Sequence, residues 1–398
     1  MPAQAARREE VARREALALG MVAGEASGDV LAASLLAGLG ERVDRLQAAG
    51  IGGPSMRRHG FDAWWTIDAL SVNGYLEVLR EYPRLRRMRN ALRERMLQWR
   101  PNVFVGVDAP DFNLDLERAL RERGLRVVHF IGPSIWAWRR ERIRKIAASV
   151  DRILLLFPFE EALYREAGVD ATYVGHPLAD AIPLDVDAGE ARRRLGLPEA
   201  APVVALLPGS RGSEIEHLAP PFFATAAWLH RRRPDLRFVV PAASDAAFDR
   251  IRTIAAQAQL PDTLPLTIVR GRAHDALAAA EAVLVASGTA TLETALFRKP
   301  MVIAYRMSAI SYRIMRPMAL LPYVGLPNIL AGRFVVPEFL QNEVRPAAMG
   351  EALLRQLDDA PYRASIVETF ASMHRTLRRG CASRAAQAVL EVADEAGR

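Results

Sequence analysis

The sequence predicts an α/β protein in which two doubly wound Rossmann-like domains face a cleft, followed by C-terminal helices. Short β-branched or Leu-rich runs alternate with longer segments of helical period, a pattern typical of parallel α/β architecture. The 398 residues are too many for one ordinary core, which favours two domains. Several predicted strands end in loops of small and charged residues, and ligands of doubly wound folds bind at such strand ends.

The first predicted domain, residues 1–185, contains six strands with helices between them. The strands lie near residues 16–23, 46–51, 103–108, 127–132, 153–157 and 172–176. A Pro-rich, polar segment at 182–202 then interrupts the alternation, and we place the domain boundary there.

The second predicted domain, residues 186–345, repeats the alternation with five strands. They lie near residues 203–208, 237–242, 266–270, 282–287 and 301–306. The segment 346–398 is helical in composition and has no strand signal. We expect it to cross back to the N-terminal domain or to pack on a partner subunit, so a homodimer is one of the assemblies left open.

The charge balance indicates an anionic partner. The chain has 53 Lys and Arg against 46 Asp and Glu, a net charge of +7, which suits a nucleic acid, a phosphorylated substrate or an acidic membrane surface. The single cysteine, Cys381, excludes an internal disulfide and indicates a reducing cytosolic compartment. The N-terminus does not resemble a signal peptide, and the longest uncharged run, 317–332, is too short and Pro-rich to span a bilayer.

One loop of the second domain, SGTATLE (287–293), has the composition of a phosphate site. Small residues let backbone amides approach a ligand, and the helix that follows carries partial positive charge at its N-terminus. Ser287, Thr289 and Thr291 can add hydroxyl donors, and Glu293, one turn into the helix, is placed to accept from ribose hydroxyls. The alternative interpretation is an ordinary helix N-cap.

A second loop, PGSRGSEI (208–215), has the same context between a strand and a helix. Its Arg211 can donate two parallel hydrogen bonds to phosphate oxygens and stays charged, which suits a diphosphate. The loop is not a Walker A motif, because no Gly-Lys-Ser/Thr follows. Taken alone, Arg211 would be interpreted as a solvated side chain on a turn.

Two strand-end loops of the first domain carry carboxylates. In DAPDFN (108–113), Asp108 directly follows an apolar strand and is the better candidate for a general base on a substrate hydroxyl, whereas Asp111 is placed to cap the next helix. The alternative for Asp108 is that it only accepts hydrogen bonds from amides of the loop. In GEASGD (24–29), Glu25 and Asp29 can bind sugar hydroxyls or cap the first helix, which follows this loop. The G-x-G-x-x-G spacing of a dinucleotide loop is absent.

The segment 74–100 predicts a basic amphipathic helix. Apolar residues recur at intervals of three and four from Leu85 to Trp99, and arginines fill most of the other positions. The simpler interpretation is a core-facing stripe with a solvated basic face. The other interpretation is an element that lies against anionic lipid, helped by Leu76, Val78 and Leu79 at its start.

Aromatic and basic residues interleave in GPSIWAWRRERIRK (132–145), which on its own also suits nucleic acid. No recognised nucleic-acid module surrounds this loop, so we favour a loop in which Trp136 stacks on a substrate. No HExxH motif, Cys pair or clustered His/Asp set is present, and we expect neither a metal nor another cofactor.

Together these loops resemble one family, the lipid-A-disaccharide synthases, which are inverting glycosyltransferases of the GT-B type. The resemblance covers about residues 16–345, in the family's order. It is carried by AGEASGD (23–29), VNGYLEVL (72–79), GVDAPDFN (106–113), GPSIWAWRRERIRKI (132–146), FPFE (157–160), VGHPL (174–178), LLPGSRGSEI (206–215), SGTATLE (287–293), YR (305–306) and LPNILAGRFVVPEFLQ (326–341).

The resemblance implies transfer of 2,3-diacylglucosamine from its UDP conjugate to 2,3-diacylglucosamine 1-phosphate, with a β(1→6) disaccharide and UDP as products. The C-terminal domain would bind UDP through Arg211, Ser287, Gly288, Thr289, Glu293, Asn328 and Gln341. The N-terminal domain would bind the acceptor, with Asp108 as the base and with Glu25, Ser27, Asp29 and Trp136 as contacts. A helix N-terminus and an arginine can stabilise departing UDP without a metal.

The diacylated substrates imply a cytoplasmic protein that associates peripherally with the anionic inner face of the inner membrane. Two other functions stay open at this stage. One is a different UDP-sugar enzyme of the same architecture, such as a 2-epimerase, and the other is a non-catalytic sugar-nucleotide-binding protein at the membrane surface. A nucleic-acid binder ranks third.

Overall fold

The computed structural model describes residues 13–70, 75–136, 141–308, 312–313, 316 and 320–395, with only the backbone of 75–80. The chain forms two compact units. The first contains the residues up to Pro177 together with Arg378–Arg398, and the second is the continuous segment Leu178–Leu377. The units therefore divide ahead of the predicted boundary at 185/186.

The first unit is built on a parallel sheet with the strand order β3-β2-β1-β4-β5-β6-β7. Its strands are β1 (Arg14–Ala23), β2 (Val43–Gly52), β3 (Asp62–Thr66), β4 (Val103–Val107), β5 (Val127–Phe130), β6 (Arg152–Leu155) and β7 (Ala171–Tyr173). The helices between them are α1 (Ala26–Gly40), α2 (Pro54–Arg57), α3 (Tyr75–Trp99), α4 (Pro110–Arg121), α5 (Arg142–Ser149) and α6 (Glu160–Glu166). All pairings between these strands are parallel, as the alternation of strands and helices predicts.

The second unit has a parallel sheet with the strand order β10-β9-β8-β11-β12-β13. Its strands are β8 (Val203–Leu207), β9 (Arg237–Ala242), β10 (Leu266–Arg270), β11 (Ala282–Ala286), β12 (Met301–Tyr305) and β13 (Glu338–Leu340). Its helices are α7 (Pro177–Ala181, which starts at the boundary), α8 (Ala188–Leu195), α9 (Gly212–His230), α10 (Asp245–Gln257), α11 (Ala273–Ala279), α12 (Thr289–Leu296), α13 (Leu326–Ala331), α14 (Pro346–Asp358) and α15 (Ala360–Leu377).

A last helix, α16 (Cys381–Asp394), returns to the first unit and packs along α1. The backbones come close at Gly38, where an added Cβ would lie 2.5 Å from the carbonyl oxygen of Ala382. At the other end of α16, Arg152 on β6 donates to the carboxylate of Glu391 at 2.7 Å. Apolar packing and ion pairs thus both join this helix to the first unit.

The two faces of the first sheet have separate cores. Val103, Val105 and Val107 of β4 face a core that α1 and α16 complete. Phe104, between them, faces a second core to which α3, α4 and α5 contribute. This alternation along one strand follows from the two-residue period of side chains in a sheet.

The fold class and the predicted strands are confirmed, with two additions. β3 and β13 were not predicted, and they lie at opposite ends of their sheets, one in each unit. The apolar stripe of α3 faces the core, as its simpler interpretation predicts, because Met88, Leu92 and Met96 are buried.

Within the described ranges, no helix is long and apolar enough to cross a membrane. In that same part of the chain, no three His, Cys, Asp or Glu side chains are grouped so that they could hold a metal ion.

Candidate active site

In the second unit, the loops that follow β8 and β11 lie side by side. These two strands are neighbours at the centre of the sheet, with Leu207 opposite Val285, and the strand order reverses between them. In doubly wound folds the ligand crevice forms at this reversal point, outside the carboxyl ends of the strands. The two loops with phosphate-site composition, 208–211 and 287–288, therefore occupy this position in their sheet.

Arg211 is the residue directly before α9. Its Nη1 donates to Oε1 of Glu214 at 3.2 Å, and the side chain is 80% exposed. Oε2 of Glu214 accepts from the backbone amides of Ser210 at 3.2 Å and Arg211 at 3.4 Å, so one carboxylate fixes both the turn and the guanidinium. Gly209 has φ +116°, and an added Cβ there would lie 2.6 Å from that of Glu214, so the turn requires glycine.

The loop after β11 presents its backbone and one hydroxyl. Ser287 is committed to the fold, because its Oγ donates to the carbonyl of Val324 at 2.7 Å. Gly288 has φ +151°, Thr291 donates to the Gly288 carbonyl at 2.7 Å, and Thr289 is exposed. The free amides of the first turn of α12 and the Thr289 hydroxyl are therefore the groups open to an anion.

Glu293 lies on α12, close to His274 of α11. The Nε2 of His274 and the Oε2 of Glu293 are 3.3 Å apart, and the Glu293 side chain is largely covered. The hydrogen bond to Glu293 raises the pKa of His274, although partial burial acts against the shift. A ribose hydroxyl that bound to Glu293 would share this carboxylate with the histidine.

Gln341 follows β13 and lies in the left-handed region at φ +51°. Its Oε1 accepts from the amide of Met307 at 3.3 Å. Its Nε2 is buried and has no hydrogen-bond partner among the described residues. A buried amide donor without a partner is costly, so a ligand oxygen at this position would remove a penalty.

In the first unit, the corresponding reversal point lies between β1 and β4. The loops that follow these strands pack against each other, because a Cβ at Gly24 would lie 2.4 Å from that of Ala109. Glu25 and Ser27, at the start of α1, are exposed at this edge of the sheet. Three of the predicted residues, Glu25, Ser27 and Asp108, thus lie on two adjoining loops.

Asp108 lies at the end of β4 in a strained backbone conformation. Its φ is +53° and that of the next residue, Ala109, is +43°, both in the left-handed region that non-glycine residues rarely adopt. The amide of Asp108 donates to the carbonyl of Phe130 at 3.0 Å, which ties the residue to the neighbouring strand. Its half-buried carboxylate has no hydrogen-bond partner within the described ranges.

Comparison with known proteins identifies the family. A family model described as lipid-A-disaccharide synthetase matches residues 19–392. The lipid-A-disaccharide synthase of Burkholderia vietnamiensis (strain G4 / LMG 22486) is 52% identical over 381 residues, which cover 95% of this chain and 97% of that protein. The chain belongs to the lipid-A-disaccharide synthase family.

Solved structures confirm the GT-B fold expected of the lipid-A-disaccharide synthase family. The glycosyltransferase of kitacinnamycin has a TM-score of 0.61 at 15% identity, with 96% of this chain and 99% of that chain covered. A UDP-GlcNAc 2-epimerase from Neisseria meningitidis, bound to UDP-GlcNAc, has a TM-score of 0.59 at 10% identity, with 96% and 100% covered. At these identities the likeness shows the fold alone.

Asp29, predicted to contact the acceptor of the lipid-A-disaccharide synthases, instead holds the fold together. Its carboxylate is 2% exposed and accepts from the amides of Gly53 at 2.8 Å, Ser55 at 2.8 Å and Met56 at 3.1 Å. Asp29 therefore belongs to α1 but binds the first amides of α2 and caps that helix. The capping alternative concerned α1, the helix that contains Asp29, whereas the helix that this carboxylate caps is α2.

Asn328, predicted to bind UDP, also has a structural role. It is fully buried, and its Oδ1 accepts from the amides of Val335 at 2.7 Å and Val336 at 3.1 Å. Its Nδ2 donates to the carbonyl of Val336 at 2.9 Å and to Glu338 at 2.8 Å. An amide side chain has two donors and two acceptor positions, and all four are used here.

Sequence analysis missed Glu338, which shapes the loop beside Ser287. Its carboxylate accepts from the amides of Val324 at 2.8 Å and Gly325 at 2.9 Å, next to the carbonyl that holds Ser287. Burial raises the pKa of Glu338, although the three hydrogen bonds oppose the shift. The sequence feature that could have indicated this role of Glu338 is a single acidic residue in an otherwise apolar run, VVPEFL (335–340).

Trp136 lies after β5 and belongs to a group of aromatic rings at the ends of β5 and β6. Its Nε1 donates to Glu160 at 2.9 Å, and its ring meets Phe159 edge-on with centroids 5.4 Å apart. Phe159 in turn stacks on Phe157 at 5.9 Å. Burial raises the pKa of Glu160 to about 7, against the hydrogen bonds from Trp136 and the Phe157 amide.

The predicted membrane contacts lie at the start of α3. Leu76, Val78 and Leu79 belong to this helix, but their side chains lie outside the described residues. Farther along, Arg84, Arg86 and Arg87 are exposed, so this part of α3 presents a basic surface beside the predicted contacts.

Proposed function

We propose that this chain transfers 2,3-diacylglucosamine from its UDP conjugate to 2,3-diacylglucosamine 1-phosphate, with inversion, forming the β(1→6) disaccharide and UDP. The observation that carries the proposal is the 52% identity to a lipid-A-disaccharide synthase over 95% of the chain. The position of the predicted loops at the reversal point of each sheet supports it.

Asp108 acts as the general base. Its carboxylate accepts the proton of the acceptor 6-hydroxyl while that oxygen bonds to the anomeric carbon of the donor and the bond to UDP breaks. The reaction inverts the anomeric carbon because attack and departure take place on opposite faces. Glu25, Ser27 and Trp136 are proposed to hold the acceptor around this base.

Arg211 and the N-terminus of α12 bind the diphosphate of the donor. The guanidinium and the free amides that follow Gly288 stabilise the negative charge that grows on UDP as it leaves. Thr289, Glu293 and Gln341 complete the nucleotide contacts, and Ser287 keeps the loop in place. Asn328 contributes indirectly, since it holds the segment that carries Glu338.

We further propose that the protein works at the inner face of the inner membrane as a peripheral protein. Both substrates carry two acyl chains and therefore reside in lipid. The net charge of +7 and the exposed arginines of α3 suit an anionic surface. Leu76, Val78 and Leu79 are proposed to insert among the acyl chains.

The deciding experiment incubates the purified protein with both diacylated sugars in mixed micelles. UDP release and a disaccharide product are expected only when both are present. Replacement of Asp108 by Asn should lower kcat by at least about a hundredfold, the range of general-base catalysis. Turnover of the UDP-sugar alone would favour an epimerase, and full function of the Asp108 variant would favour a non-catalytic protein.

A further inference from the structure

Directly behind Asp108 lies a cluster of polar side chains that the proposed reaction does not yet use. Asn113 and Glu117 stand one turn apart on the inner face of α4, and His129 stands on β5. Each of the three is fully buried. An ionisable pair in a core costs free energy through lost hydration, so its presence calls for an explanation.

Two of these side chains, Glu117 and His129, form a close pair, and Asn113 lies near them, its Cγ 3.1 Å from a Cβ added at Gly106. Nδ1 of His129 and Oε1 of Glu117 are 2.7 Å apart. Gly106 on β4 pairs with His129 across the sheet, and an added Cβ at Gly106 would lie 2.0 Å from Oε1 of Glu117. The glycine therefore leaves the space that the carboxylate occupies, and the pair depends on a position without a side chain.

The cluster is joined to the backbone of the proposed base. Nδ2 of Asn113 donates to the carbonyl of Asp108 at 2.7 Å and approaches the carbonyl of Val107 at 3.4 Å. This is the point where Asp108 and Ala109 both adopt the left-handed conformation. Such strain persists only where surrounding contacts enforce it, and Asn113 supplies one of them.

The pair is also coupled to Asp108 by charge. Burial opposes the imidazolium, but the carboxylates of Glu117 and then Asp108 raise the pKa of His129. α3 and α5, which pack on the same face of the sheet, add apolar side chains such as Leu92 and Ile146 to this core. Glu117 and Asp108 are thus the charged groups that act on the histidine.

We propose that Asn113, Glu117 and His129 are positioning residues for Asp108. Asn113 holds the strained strand end, and the Glu117–His129 pair forms a rigid polar support behind it. The carboxylate of Asp108 is thereby kept in one orientation without a side-chain partner of its own. This inference rests on the proposed function, because only there does Asp108 act as a base.

The test compares Glu117→Gln with a control, Ser149→Ala. Ser149 is also fully buried in the first unit, and its Oγ donates to the carbonyl of Lys145 at 2.8 Å at the end of α5. Both variants should be less stable than the parent. Only Glu117→Gln should lower kcat, by about 10- to 100-fold, since small misplacements of a catalytic group have effects of this size.

Two further measurements separate positioning from general loss of structure. KM for both sugars and the affinity for UDP should stay within about twofold of the parent, because substrate contacts are unchanged. A double-mutant cycle adds Glu117→Gln to the Asp108→Asn variant. The further loss of kcat should be less than about twofold, because the Glu117–His129 pair acts through Asp108. If Glu117→Gln does not fold, His129→Asn replaces it in the same measurements, because it removes the other side chain of the pair.

The outcomes are distinct. An active parent whose Glu117→Gln variant keeps full kcat despite a lower Tm would overturn this inference and leave the proposed function intact. Additive losses in the double variant would also overturn it, because the pair would then act independently of Asp108. A parent that forms no disaccharide would refute the proposed function itself.

Discussion

Arg211 combines high exposure with a fixed direction. The guanidinium is mostly in solvent, yet Glu214 holds both it and the turn that carries it. An exposed ion pair of this kind adds little to stability. For the proposed diphosphate contact its value lies in orientation, because a positioned guanidinium loses less side-chain entropy on binding than a free one.

Arg211→Ala should weaken UDP binding by about 10- to 100-fold, the range for loss of charge-assisted hydrogen bonds. Titration calorimetry with UDP measures the effect. Arg252→Ala, which removes an exposed arginine from α10 in the same unit, is the matched control and should bind UDP like the parent. Equal affinity in the two variants would remove Arg211 from the nucleotide site.

The raised pKa of Glu160 predicts that the free energy of unfolding depends on pH. Because its pKa in the folded protein is raised from 4.5 to about 7, the folded state keeps the proton that the unfolded state releases. The contribution of this group is fully present below about pH 4.5 and is lost as the pH rises to about 7. The loss is on the order of 3 kcal/mol.

Denaturation at pH 5 and pH 8 tests this, with Glu166→Gln of the same helix as an exposed control. Glu160→Gln should be less stable than the parent at pH 5, because its amide nitrogen cannot accept a hydrogen bond and so leaves one of two donors, Trp136 or the Phe157 amide, unpaired. The deficit should shrink at pH 8. A constant difference at both pH values would show that Glu160 does not titrate in this range.

At the level of single residues, sequence pattern located the loops but not the direction of every side chain. Asp29 and Asn328 lie in the right segments, yet both are buried: backbone amides bind Asp29, and backbone groups and Glu338 bind Asn328. His129 and Glu117 were not predicted, since a histidine in a strand and an acid in a helix carry no local signal of being paired. Tertiary contacts decide such roles.

At the scale of elements, α3 has two faces with different tasks. Its apolar stripe contributes Leu92 and Met96 to the core of the first unit, while Arg84, Arg86 and Arg87 are exposed. A basic surface next to apolar residues at the start of a helix is suited to the boundary between headgroups and acyl chains.

Replacement of Leu76, Val78 and Leu79 by Ser should lower binding to vesicles with anionic lipid, because less apolar area enters the bilayer. Co-sedimentation measures the bound fraction. Leu320→Ser, at an exposed leucine of the second unit, controls for general loss of apolar surface. Unchanged sedimentation of the triple variant would exclude this segment from the membrane contact.

Most of the strands that were predicted have enough length and apolar residues to show a pattern; β7, with three residues at the edge of its sheet, is an exception. β8 and β11 are fully buried strands of five residues, and such continuous apolar runs can be recognised as strands from sequence. β13 has three residues, and β3 has the mixed sequence DAWWT at the edge of its sheet. Edge strands need less apolar surface, so their sequences resemble those of loops.

At the scale of the whole molecule, the first unit depends on a distant part of the chain. α16 covers α1, and Val389 and Val392 belong to the same core as Leu36 and Leu39. The segment 346–398 was expected to cross back or to join a partner subunit, and within the chain only its last part, 378–398, lies in the first unit.

Gly38→Ala should selectively destabilise the first unit. The added Cβ would lie 2.5 Å from the carbonyl oxygen of Ala382, so α1 and α16 must separate, at a cost of about 1 to 3 kcal/mol. Hydrogen exchange should become faster in α1 and α16 and stay unchanged in α9, with UDP affinity retained. Gly40→Ala, where nothing lies within 4 Å of the added Cβ, is the control. Equal exchange in both variants would contradict the close packing.

The return of α16 reverses the order in which the two units can be completed during synthesis. The second unit is one continuous segment, Leu178–Leu377, whereas the first lacks α16 until residues 378–398 have left the ribosome. At about 5 to 20 residues per second, the roughly 200 intervening residues delay this by on the order of 10 to 40 seconds. The part of α1 that α16 covers is exposed for that time, so α1 of the nascent chain is open to chaperones or to aggregation.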